Sequence, residues 1–306
     1  MKFDFGEVLR WMWKIGWNHK VLWLWQMLPG ASVVFVFPSF FIYYPAFTKL
    51  MQNPELQIPI EPWMSISLNS MGALFVLSYA LMWIFAQLTT ICGAVEIEKG
   101  TANISFRELS RKSLPYVWRV FGLYFLYCGV WALMSVGFAP ISWILAKNSP
   151  ATLKTLMIFL SLPLSVVWLV SMVVLELAQA AIVADNMRVI AAILHAWKIL
   201  KSNLLEMVII TIVLFFGVLT PLGLLLMPLP FLVGISSLFL THAPDPNVIF
   251  FTVFFGIIPF VIILSTSLAG IFMTFFQSAW AVAYLRLSKN SNTSIILEEK
   301  PQEAGI

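Results

Sequence analysis

The chain has 306 residues, of which 60% are apolar and 10% charged, with a net charge of +4. A soluble domain carries about a quarter charged residues, and the uncharged runs here exceed the ~18 residues that mark a membrane span. Composition therefore excludes a soluble protein and predicts an all-α, polytopic helical membrane protein.

The N-terminal stretch MKFDFGEVLRWMWKIGWNHK has no uninterrupted apolar core before Lys20 and no small-residue cleavage site, which argues against a signal peptide. Over residues 5–18, Glu7, Arg10 and Lys14 recur at helical spacing while Val8, Met12 and Ile15 fall on other faces. This pattern predicts an amphipathic helix in the membrane interface. Trp11, Trp13, Trp17, Trp23 and Trp25 fit it, because indole joins an apolar ring to one N–H that suits the headgroup level. The alternative is a cytosolic helix packed on its own bundle.

A first span is expected over 21–44, bent at Pro29-Gly30 and Pro38, followed by a proline-rich loop over 45–62. The second span, 63–95, is an uncharged run of 33 residues, about 50 Å of helix against a ~30 Å hydrocarbon core. It must tilt, bend or project beyond the lipid. A second surface helix over 105–119 is interrupted at Pro115. The third span covers 116–146, with an exit loop over 147–154, and the fourth covers 155–184. After a polar exit at Asp185 and Asn186 comes a third surface helix carrying Arg188, His195 and Lys198, with Trp197 and Lys198 assigned to the interface. The fifth apolar region, 204–240, either ends near Pro228 or folds back as a re-entrant segment. The sixth span covers 248–285, with bend points at Pro259 and Gly270, and 286–306 reads as a disordered cytosolic tail.

Of the 18 Lys and Arg residues, all but Lys49, Lys147 and Lys154 fall on one side if six spans alternate from a cytosolic N-terminus. This positive-inside bias places both termini in the cytosol. The same layout repeats. Trp13-Lys14-Ile15 recurs as Trp197-Lys198-Ile199, and aligning Phe5 with Phe106 also pairs Glu7 with Glu108, Arg10 with Arg111 and Trp17 with Trp118. Gln87, Gln179 and Gln277 each fall late in an even-numbered span. These matches predict a single membrane domain over 1–285 made of three helix-plus-hairpin repeats, about 1–100, 101–186 and 187–285.

Two segments, Trp13 to Trp23 (WKIGWNHKVLW) and Ala196 to Leu204 (AWKILKSNL), carry a resemblance to a known family. With them the chain resembles the uncharacterised bacterial six-span proteins related to the membrane domain of glycerophosphoryl diester phosphodiesterases. The likeness covers most of the chain in layout and only these segments in residues. It implies a multi-pass protein of the bacterial cytoplasmic (inner) membrane. Phosphodiesterase activity does not carry over, because the family enzymes hydrolyse with a separate soluble domain and 21 residues after the last span cannot form one.

Catalytic motifs are not expected. Cys92 and Cys128 have no neighbouring His or Cys at metal spacing, and His19, His195 and His242 stand beside no nucleophile. No metal or cofactor is implied. The residue that stands out is Glu176, since an ionisable group inside a span costs about 2.5 kcal/mol or more. With Gln179 one turn on, and with Gln87 and Gln277, it forms a candidate intramembrane polar site for a proton or cation. The competing reading puts Glu176 near the cytosolic headgroups, with the glutamines bonding between helices. Repeat alignment sets Ile84 and Thr274 opposite Glu176, so a symmetric site is not expected.

The function expected is that of a non-catalytic membrane protein, an accessory, assembly or lipid-organising subunit. Its expected partners are membrane lipids and a membrane protein or second copy of the chain, with no nucleic acid. The alternative is a transporter or permease for a lipid or small solute.

Overall fold

The computed structural model describes residues 4–35, 62–101, 104–227 and 258–298. These residues form an all-α protein without strands. Among the described residues, five helical segments are long and apolar enough to cross a membrane: Ser65–Glu98, Phe106–Ile144, Thr155–Ala184, Leu204–Leu224 and Ile263–Ser288. The later part of the expected first span, the loop at 45–61 and the re-entrant alternative beyond Pro228 lie outside the described residues.

Helix α1, Phe5–Asn18, starts where the Asp4 carboxylate accepts the Glu7 amide at 3.1 Å. Helix α2, Val21–Met27, tightens into a 3-10 segment, Leu28–Phe35, at the Pro29-Gly30 break. Helix α3 spans Pro62–Glu98, 37 residues or about 55 Å. It stops at Gly100, whose φ of 95° only glycine adopts cheaply. The amides of Gly100 and Thr101 return to the carbonyls of Ile97 and Glu96, a Schellman closure.

Helix α4, Phe106–Ser113, is capped by the Ser105 hydroxyl, which accepts the Glu108 amide. A 3-10 turn at Pro115 passes into α5, Val117–Asn148. Helix α6, Pro150–Ala184, follows after a single residue, Ser149. The loop expected over 147–154 is thus absorbed into the helices, because proline in the first turn loses no intrahelical bond and presets φ for a helix start.

Asn186, at φ 54°, turns the chain out of α6 and into α7, Val189–Ser202. Helix α8, Leu204–Leu214, passes through a π-turn at Phe215–Leu219 into α9, Thr220–Leu226, so the fifth apolar region is not one regular helix. Helix α10, Ile258–Glu298, continues past Leu285, where the last span was expected to give way to a disordered tail. No glycine or proline occurs between Arg286 and Glu298, so leaving the hydrocarbon is no reason for the helix to end.

The described residues gather into two compact units, one within Met1–Trp13, Ile91–Ile212 and Gln277–Ile306, the other within Lys14–Thr90 and Val213–Phe276. In the first, α6 packs on α5 and α7. Ala178, Ala181, Ala192 and Ala196 are fully buried, the small residues that let helix backbones approach. In the second, α2 and the 3-10 segment after it meet α10 at glycines: a Cβ on Gly270 would lie 3.1 Å from the Met27 amide nitrogen, and one on Gly30 2.7 Å from Thr266 Cβ.

Burial is lopsided along the long helices. In α6, Leu156 to Val170 is largely exposed, whereas Leu175 to Val183 is buried throughout. In α3 and α10 the buried stretches likewise come late, from Ala86 to Val95 and from Gln277 to Tyr284. The exposed parts are apolar, including Phe159, Leu162, Val166, Leu133 and Val136, as a lipid-facing surface requires.

Candidate intramembrane polar site

The first unit carries a buried polar cluster where α5, α6 and α10 meet. Glu176, on the inner face of α6, is only 4% exposed, so protein encloses its side chain rather than headgroups. Its Oε1 accepts from the Gln277 side-chain amide at 3.3 Å. One turn later the Gln179 amide donates to the Tyr124 hydroxyl at 2.8 Å. Glu176 Oε2, Gln179 Oε1, Gln277 Oε1 and the Ser278 hydroxyl are buried without a hydrogen-bond partner. Among the described residues no ion pair reaches Glu176. Unanswered acceptors therefore outnumber donors here, which suits a neutral, protonated Glu176 or a captured proton or small cation.

Glu176, Gln179 and Gln277 thus lie together in one unit. Gln87 is buried in the other unit. There α2 supplies a pair that sequence reading passed over: the buried Gln26 amide donates to Ala86 O at 3.2 Å and Thr90 Oγ1 at 2.9 Å. Tyr124 and Ser278 were also passed over. Their one signal was a hydroxyl inside an apolar run, which usually needs a partner when buried.

Three further networks belong to the first unit. Tyr284 donates to Asp185 Oδ2, and the His195 ring meets the Tyr284 ring edge-on at 6.1 Å. Arg286 bridges Glu7 and Glu98 at 2.8 and 2.7 Å, tying α1 and α3 to α10. Arg119 donates to the Asn186 side-chain and backbone oxygens at 2.6 and 3.1 Å, which holds the turn between α6 and α7.

Of the residues assigned to the interface, Trp13 and Trp17 are half exposed, at 58% and 50%. Trp197 and Lys198 are exposed on α7, and Trp11 is partly covered. Trp25, in contrast, is buried against Phe85 with ring centroids 5.1 Å apart, so it serves packing in the second unit.

Cys92 is buried and Cys128 exposed, and no His, Cys, Asp and Glu grouping among the described residues could hold a metal ion. No protein-family model matches the chain, and no curated protein or solved structure matches it.

Proposed function

We propose that this chain is a non-catalytic integral membrane protein of the bacterial cytoplasmic membrane, an accessory, assembly or lipid-organising subunit with both termini cytosolic. The observation that carries this reading is how its intramembrane polar groups are used. Gln179 reaches Tyr124, Gln277 reaches Glu176 and Gln26 reaches Thr90, each bonding one helix to another. Such bonds hold a bundle together. Two apolar grooves beside α5 and α6 are lined by none of Glu176, Gln179 and Gln277.

The reading includes an internal repeat, supported by the order short helix, apolar segment, long helix, which occurs three times. Surface placement of α1, α4 and α7 is supported by the exposed Trp13, Trp17, Trp118 and Trp197 on or beside them. A relation to the membrane domain of glycerophosphoryl diester phosphodiesterases belongs to the same reading.

A transporter is the second reading, and Glu176 Oε2 favours it, being a buried carboxylate oxygen without a partner. Replacing Glu176 with Gln separates the two. As a scaffold the variant folds, changes stability by no more than about 1 kcal/mol and leaves vesicle permeability as it was. A proton or cation flux present in vesicles with the parent protein and absent with Glu176→Gln overturns the scaffold reading.

A further inference from the structure

Helices α5, α6 and α7 enclose an open apolar groove of about 500 Å³ in the first unit. Its walls include Leu126 and Val130 of α5, Val166 and Val170 of α6, and Ile193 and Trp197 of α7. Val130 and Val166 are more than half exposed, so no part of the described chain fills it.

The stripes that line the groove do not end in apolar residues. On α5, Leu123, Tyr127 and Trp131 recur every fourth residue along the groove, and Arg119 precedes them by one turn. On α7, Ile193 and Trp197 are followed at the same spacing by Lys201, whose ammonium lies 5.0 Å from the Trp197 ring centroid. Lys198 is exposed beside it. None of Arg119, Lys198 and Lys201 takes part in an ion pair among the described residues. A hydrocarbon-lined slot therefore runs, at the Trp197 indole, into cations of α7 that pair with no carboxylate among the described residues.

We infer that this groove binds an anionic phospholipid, one acyl chain lying between α5 and α6 and the phosphate resting against Lys201, with Lys198 beside it. A second copy of the chain would bring the same cations to the same end of the slot, and like charges repel. A zwitterionic lipid could fill the slot but would gain little from these cations. The inference deepens the lipid-organising reading by naming its lipid, and it rests on that reading.

The test is native mass spectrometry of the full chain in detergent, titrated with dioleoyl phosphatidylglycerol or dioleoyl phosphatidylcholine. The parent protein is expected to retain the glycerol lipid preferentially. Lys198→Gln with Lys201→Gln, both at exposed positions, weakens that retention about fivefold per cation removed. Val170→Trp fills the slot and lowers retention of both lipids, with circular dichroism reporting that it folds. Equal retention of the two lipids, or a preference the Lys variants leave unchanged, overturns the proposal. So does a dimer that Val170→Trp abolishes, which would make a second copy the occupant. These outcomes leave the non-catalytic reading standing, because the Glu176→Gln flux assay tests it separately.

Discussion

At the scale of single residues, His19 lies where α1 hands over to α2. Partial burial, with the Lys14 charge adding to it, holds the imidazole below its ordinary value of 6.5. The unfolded chain takes up this proton near pH 6.5 and the folded chain does so only at lower pH. Stability is therefore fully present above 6.5 and declines as pH falls below it. Thermal unfolding in detergent between pH 7.5 and 5.5 should thus have an acid-side loss that His19→Gln reduces. An identical slope in the variant would show that His19 contributes nothing. Glu176 is the opposite case, a group whose surroundings matter more than its own titration. The sequence marked it by position alone, and its donor Gln277 is 101 residues away.

At the scale of elements, the α2 and α10 contact depends on Gly270, because a Cβ there meets the Met27 amide nitrogen at 3.1 Å and Trp23 O at 3.2 Å. A backbone cannot step aside as a side chain can. Gly270→Leu is expected to cost about 1–3 kcal/mol through overpacking, read as a lowered midpoint in thermal unfolding. An unchanged midpoint would mean that the two helices do not approach so closely. The long helices were legible in the sequence because an uncharged run of 33 residues has no other stable home than lipid. Helix ends were less legible. Ser149 is the whole junction between α5 and α6 since Pro150 starts a helix well, and α10 outruns its apolar stretch because charged residues such as Arg286 and Lys289 are good helix formers. The polar site was legible in part: spacing put Glu176 and Gln179 on one face, but no local pattern announces that Tyr124, 55 residues before Gln179, would meet it.

At the scale of the whole molecule, the distribution of basic residues fixes an expected orientation that labelling can check. Single cysteines at Ser110 and Ser202 should react only with reagents admitted to the cytosol, and one at Asn247 should react from outside. A cysteine at Ser110 that labels from the outside would overturn this orientation and the cytosolic termini with it. The pairing of Glu176 with Gln277 also bears on how the protein is made. Chains are synthesised from the N-terminus at about 5–20 residues per second, so the 101 residues between this pair separate their arrival by about 5–20 s. During that interval α6 is already available to the bilayer with a carboxyl group whose partner has not left the ribosome. The nascent chain must either hold that group protonated or shelter it against α5 until the final helix arrives.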